Sequence, residues 1–248
     1  MKASDRETYP ALFRPSEGYV FVVTYGRSGS TLTQALLNSL PGYCVRGENA
    51  NLTHYIARMA HIVATEENFV DRRDNIVKPL DARLPHLQPI LGNAMDPWFG
   101  AELPDPDDLR LSLFDVFAEK VLQVPEGCRV CGFKEIRQWM HPEFFAPHLD
   151  ILRQSFPNTR FLFQTRNWQD VSRSKWWRQI PPDRVRDQIA TADALFADYQ
   201  AAHPECCFTI AFERYADGVP YIREILDFLG EDLPDERIEA ILSRRLAH

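Results

Sequence analysis

The sequence predicts an α/β protein, a single three-layer domain in which a central parallel sheet is flanked by helices. Three observations carry this expectation. Short apolar runs of strand length alternate with longer stretches of helical periodicity, the order that parallel strands with crossover helices require. The run at 19–24 is apolar almost throughout instead of alternating, as a strand covered on both faces must be. That run breaks at Gly26 and Gly29 directly before an amphipathic helix. With 248 residues and 45% hydrophobic side chains the chain can bury a substantial core. No repeat, low-complexity tract or linker divides it, so one domain over 1–248 is expected.

The elements follow in order. After the strand at 19–24, a helix at 30–40 sets Leu32, Ala35, Leu36 and Leu40 on one face and is closed by Pro41-Gly42. A second strand at 43–45 runs into Gly47-Glu48-Asn49, and the helix after it is predicted to bury Ile56, Met59, Ala60 and Val63. Residues 52–122 form an excursion from the sheet. Within it the proline-rich stretch 78–107 holds Trp98 and Phe99 amid acidic side chains, and two readings are open: an ordered wall of a binding site, or a packed surface loop. An amphipathic helix at 107–121 leads to a strand at 129–133 ending in Lys134-Glu135, a helix at 143–155, and a strand at 160–165 ending in Arg166. A short helix, capped by Asn167, puts Val171, Ser174 and Trp177 on about one face. A long helix at 183–202, a strand at 207–212 and helices at 220–229 and 235–246 complete the chain.

Composition narrows the function. A formal charge of -7 opposes general affinity for nucleic acid, which needs a basic face along a phosphate backbone, but it leaves room for a small anion at a local basic cluster. The first sixteen residues have no basic start followed by an apolar stretch, and no run reaches membrane-spanning length, so a cytoplasmic location is expected. The five cysteines read as buried thiols. Cys128 and Cys131, if both lie on a strand, point to opposite faces, which suits neither a redox pair nor a metal knuckle.

The strongest chemical feature is Gly26-Arg27-Ser28-Gly29-Ser30-Thr31 between strand and helix. This placement turns successive backbone N–H groups, hydroxyls and the positive end of a helix toward one tetrahedral anion. The loop is shorter than the Gly-x-x-x-x-Gly-Lys-Ser/Thr of nucleotide triphosphatases and has no lysine before Ser30, which counts against a kinase. A second basic concentration runs from Arg166 through Arg173, Lys175, Arg178, Arg184 and Arg186, opposed by Asp170 and Asp183; part of it is expected to be solvated helix surface. Arg27, Glu48, Lys134 and Arg166 all sit at strand ends, so one parallel sheet would gather them at its carboxyl edge, where such folds bind ligands.

Tyr25-Gly-Arg-Ser-Gly-Ser-Thr-Leu32 resembles the 5'-phosphosulfate loop of the sulfotransferases that use 3'-phosphoadenosine 5'-phosphosulfate (PAPS), as in tyrosylprotein and bacterial carbohydrate sulfotransferases. A second match, 155–174, is similar to that family's 3'-phosphate segment, in which an arginine closing a strand is followed eight residues later by a serine; it departs from the family at Asn167-Trp168, where Asp-Pro is commoner. Phe212-Glu213-Arg214-Tyr215 and the Phe-Leu-Gly ending at Gly230 resemble the family's late strand and helix. The resemblance implies a P-loop-like fold and assigns Arg27, Ser28, Gly29, Ser30 and Thr31 to the 5'-phosphosulfate, and Arg166 with Ser174 to the 3'-phosphate. Its catalytic residues would be Glu48 as base, in the Gly-Glu of tyrosylprotein sulfotransferases, and Lys134 with Arg27 as cations on the transferring group. The histidine base of aryl-type members is absent, Ile136 standing at that position.

The implied reaction moves a sulfuryl group from PAPS to a hydroxyl or amine of a carbohydrate or small-molecule acceptor, leaves adenosine 3',5'-bisphosphate (PAP) and requires no metal. A P-loop kinase and a non-catalytic nucleotide-binding protein are the alternatives. The glycine-rich loop that closes over the nucleotide near the C-terminus of aryl-type members is missing; either Arg244 and Arg245 replace it or the lid comes from elsewhere. Several roles stay open. Arg137 either adds a cation or pairs with Glu135, His54 and His61 share a helix face toward an acceptor, solvent or the packing, and Trp176 and Trp177 either stack on adenine or pack.

Overall fold

Seven consecutive buried residues make Gly18–Thr24 a strand, β1, that can lie only at the centre of a covered sheet. The computed structural model, which describes residues 5–243, places it there. β1 pairs in parallel with β3 (Val130–Glu135) on one side and β4 (Arg160–Thr165) on the other, while β2 (Tyr43–Arg46) and β5 (Cys207–Ala211) form the edges, giving the order β2-β3-β1-β4-β5. The edge strands are shorter and only partly buried, in keeping with that placement.

Alternation along the strands builds two cores. Tyr19, Phe21 and Val23 of β1, with Phe133, Phe161 and Phe163, pack under helices α5 (Pro106–Phe117), α6 (Pro142–Ser155) and α8 (Pro182–Ala202). Val20 and Val22, with Val45, Leu162 and Ile210, face α2 (Ser30–Leu37), α9 (Val219–Leu229) and α10 (Asp235–Leu242). The expected α/β three-layer architecture is therefore the observed one. Gly132 lets the central strands approach: a Cβ there would lie 1.7 Å from the carbonyl oxygen of Val20.

Before the sheet comes α1 (Asp5–Thr8), and between β2 and β3 lie α3 (Leu52–Thr65) and α4 (Glu67–Ile76). The buried stripe of α3 is rotated from the expected one. Thr53, Ala57, Ala60 and Val63 face inward, whereas Met59 is exposed and Ile56 only half-buried. The 78–107 stretch buries Leu87 and Leu91 and is tied to α4 by a buried ion pair in which Arg72 holds Asp96 at 2.7 Å. Cys128 precedes β3 rather than lying on it, and Cys128 and Cys131 share one core cluster instead of opposite faces, the Cys128 thiol donating to the Val130 carbonyl at 3.3 Å. All five cysteines are free and four are buried. Among the described residues no helix is long and apolar enough to cross a membrane.

Candidate active site

Parallel strands deliver all their carboxyl ends to one edge, and the chain reverses its direction of travel across the sheet at β1, between β3 and β4. A cleft of about 690 Å³ opens there. Its lining brings together Arg27, Gly29, Ser30 and Thr31 from the loop after β1, Glu48 after β2, Lys134 at the end of β3 and Arg166 after β4. Nearly all the residues singled out from sequence thus meet in one place. Arg137 and Lys175 join them, so five cations face one carboxylate in the lining.

The loop is shaped for an anion. Arg27 and Gly29 adopt left-handed conformations, with φ of 71° and 87°. A Cβ on Gly29 would also enter the Phe212 ring, 2.2 Å from its nearest atom, so only glycine fits. α2 begins at Ser30 without a side-chain cap, leaving its first N–H groups for a ligand. Ser28 is placed differently from its neighbours. It is fully buried beneath the loop, its hydroxyl 2.7 Å from that of Thr24, and its carbonyl accepts from Gln164 Nε2 at 3.1 Å, so it braces the turn against β1 and β4.

Arg166 is tied to this loop directly. Its Nη1 donates to the Arg27 carbonyl at 3.1 Å, and its guanidinium lies over the Phe212 ring, 4.2 Å from the centroid. Tyr25, which opens the glycine-rich motif but carries no role in the sequence expectation, fixes the Arg166 backbone: its hydroxyl accepts from the Arg166 N–H at 2.7 Å and lies 3.0 Å from the carbonyl oxygen. The Nε groups of both Arg27 and Arg166 are buried with no hydrogen-bond partner among the described residues. A buried donor without an acceptor is costly, and two of them at one cleft call for an anionic ligand.

Ser174 stands beside the cleft rather than in its lining. The helix α7 (Trp168–Ser172), capped by the Asn167 side chain on the Gln169 N–H at 2.9 Å, stops short of it, and the Ser174 hydroxyl donates to the Asp170 carbonyl at 3.1 Å. A 3-10 turn follows and carries Lys175 and Trp176 into the cleft. Trp177 is buried and donates to the Gly26 carbonyl at 2.9 Å, while Trp176 stacks on it at 4.2 Å and stays 43% exposed. Of the remaining basic residues in this region, Arg173 and Arg178 border a separate shallow depression and Arg186 pairs with Asp187 on the exposed surface. Arg244 and Arg245 lie outside the described residues.

Opposite the loop, Lys134 Nζ meets Glu48 Oε1 at 2.7 Å, and Arg137 Nη1 reaches Glu135 Oε1 at 3.2 Å and Glu48 Oε2 at 3.5 Å. The expected Arg137–Glu135 pair is present, and Arg137 borders the cleft as well. No residue of 52–122 appears in the cleft lining.

His54 is buried and His61 half-buried, and neither lines the cleft. His54 stacks on His141 at 4.1 Å and meets the edge of His148 at 5.7 Å, and His61 lies against Phe144. Burial, reinforced by His54, His141 and Arg58, holds the His148 imidazole down at about 3, and burial lowers His54 too. Below about pH 6.5 the unfolded chain therefore takes up protons that these folded side chains refuse, so stability falls as pH drops through 6.5 toward 3. Through His148 alone, acidification to pH 5 should remove about 2 kcal/mol. His148→Gln, which keeps an amide able to bond the Thr53 hydroxyl, should flatten the decline of Tm between pH 7 and 5; an unchanged decline would show that other groups set it.

Comparison with known proteins agrees with the geometry. Residues 19–235 match the profile of the sulfotransferase family. Among solved structures, the sulfotransferase domain from the curacin biosynthetic pathway is similar in fold, with a TM-score of 0.50 and 15% identity over 89% of this chain and 76% of that one. Sulfotransferase STF9 from Mycobacterium avium gives a TM-score of 0.44 and 15% identity over 96% of this chain and 70% of its own. No curated protein matches the chain significantly. With a cleft of this charge at the switch point of a parallel sheet, and a match that spans most of the sequence, the chain belongs to the sulfotransferase family.

Proposed function

We propose that the donor is PAPS and that the sulfuryl group passes to a hydroxyl, or an amine, of a carbohydrate or small-molecule acceptor. One observation carries the donor assignment: Arg27 and Arg166, from segments 139 residues apart, enter a single cleft, are joined there by a hydrogen bond, and each keeps a buried Nε without a partner among the described residues. Those residues fit a ligand with separate anionic groups. The loop 27–31 would hold the 5'-phosphosulfate and brace its own turn through Ser28. Arg166 would hold the 3'-phosphate, with Lys175 adding charge and Ser174 following once its hydroxyl turns from Asp170.

PAPS supplies an activated sulfuryl group whose bond to the 5'-phosphate breaks as the acceptor heteroatom attacks sulfur. The chain's part is positioning and charge stabilisation, by analogy with phosphoryl transfer. Glu48 takes the acceptor proton. Lys134, held on Glu48 at 2.7 Å, transfers its hydrogen bond to the donor's oxygens, which both stabilises charge there and releases the carboxylate to act as base. No step calls for a metal. A cytoplasmic setting suits the five free thiols.

Among the described residues no aspartate lines the cleft to hold magnesium, and the loop has no lysine before Ser30, which disfavours a kinase. Glu48 and Lys134 would have no task in a non-catalytic binding protein. Calorimetric titration should give PAP an affinity at least about tenfold above that of ATP–Mg, corresponding to about 1.4 kcal/mol. Tighter binding of ATP–Mg would remove the donor assignment. A product screen with labelled PAPS and mixed acceptor pools would then identify the acceptor.

A further inference from the structure

We infer that Glu135 is a positioning residue for the reaction: its buried carboxylate pins the strained loop that presents Glu48 and aims Arg137 beside it. This rests on the role proposed for Glu48. Lys134 and Glu135 are neighbours on β3, so strand alternation sends one side chain to the cleft and the other beneath it. The Glu135 side chain is fully buried, yet the ion pair with Arg137 is the smaller part of its bonding. Oε2 accepts from the backbone N–H of Asn49 at 3.1 Å and of Asn51 at 2.7 Å. Oε1 accepts from the Ile136 N–H at 2.8 Å and from Arg137 Nη1 at 3.2 Å.

The loop needs such a hold. Ala50 and Asn51 are consecutive non-glycine residues in the left-handed region, with φ of 57° and 60°. Left-handed backbone is strained at Ala50 above all, and two such residues in succession persist only where their surroundings over-determine them. In this conformation the N–H groups on either side of Ala50 converge on one oxygen, the arrangement by which short backbone concavities bind anions. Here the bound anion is the protein's own carboxylate. The loop begins at Glu48, so the bonds that fix Asn49 and Asn51 also fix where the Glu48 side chain starts. The same carboxylate, through Arg137, places a second cation 3.5 Å from Glu48 Oε2.

A purely architectural Glu135 would affect the whole sheet edge, weakening the nucleotide site along with turnover. A positioning Glu135 separates the two. In Glu135→Gln, a single carbonyl oxygen replaces two carboxylate oxygens and an NH2 faces backbone N–H donors. With labelled PAPS, kcat should fall about 10- to 100-fold, as misplacement of a reacting group does, while the Kd for PAP stays within about twofold of wild type. Equal losses in kcat and PAP affinity, or an unchanged kcat, would overturn the inference. Amide hydrogen exchange gives a readout independent of turnover: in the wild-type protein the Asn49 and Asn51 amides should be protected at least about 10²-fold, about 2.7 kcal/mol of opening free energy. Unprotected amides would sink the proposal even if the variant failed to fold. Protected amides in a protein that transfers no sulfuryl group from PAPS would instead sink the donor reading, leaving the loop contacts intact.

Discussion

Replacing Glu48 with alanine is expected to lower kcat for sulfuryl transfer about 10³-fold, within the range that general bases contribute, and to leave the Kd for PAP at or slightly below its wild-type value. The split follows from the geometry. In the free protein the Glu48 carboxylate is spent on Lys134 at 2.7 Å, and Arg137 stands 3.5 Å away. Removing it takes away the one carboxylate that lines the cleft beside five cations among the described residues, so an anionic nucleotide loses nothing and gains an unpaired Lys134. What disappears is the acceptor for the proton. Glu48→Gln should behave like the alanine variant in kcat because an amide cannot take that proton, even though its size and hydrogen-bonding reach are kept. Labelled transfer at saturating donor, with PAP affinity measured beside it, checks both. Transfer by Glu48→Ala at more than about a tenth of the wild-type rate would move the base elsewhere.

The features legible in the sequence are those that local chemistry decides. The continuous apolar run of β1 and the glycine at 29 announce a central strand and an anion-binding turn, because burial on both faces and a positive φ each leave few residue choices. Strand ends place Glu48, Lys134 and Arg166 at one edge for the same reason. What escaped notice depends on partners far along the chain. α3 offers two apolar stripes, and the inward one is chosen by α5 and α6 packing on it, so Ala57 is buried and Met59 is not. Glu135 does pair with Arg137, and its backbone donors Asn49 and Asn51, more than eighty residues earlier, are what no local pattern announces. Tyr25 likewise reaches Arg166 across the β1–β4 pairing, 141 residues away. Ser174 lies beyond the helix that the sequence predicts to carry it, since α7 ends at Ser172 and a turn brings Lys175 and Trp176 to the cleft instead.

Arg166→Ala is expected to weaken PAP binding about 100-fold, or about 2.7 kcal/mol, the upper part of the range for a hydrogen bond to a charged group. The guanidinium is prepared for that loss. Its Nη1 is anchored on the Arg27 carbonyl, Phe212 supports its face, and Tyr25 holds its backbone, so its conformation is set before any ligand arrives and the buried Nε is the donor left over. Arg166→Lys keeps the charge but not the fork, and should lose about tenfold. Arg178→Ala, an exposed residue that borders a different depression, should lose nothing. Because alanine also removes the anchor on the Arg27 loop, affinity alone cannot say which phosphate Arg166 holds, but a second ligand can. Adenosine 5'-phosphate lacks the 3'-phosphate, so it should bind the wild-type protein more weakly than PAP and lose little further in Arg166→Ala, the non-additivity expected when two changes remove one interaction. If both nucleotides lost the same factor, Arg166 would be acting through the Arg27 loop, and the 3'-phosphate would belong to Lys175 and its neighbours.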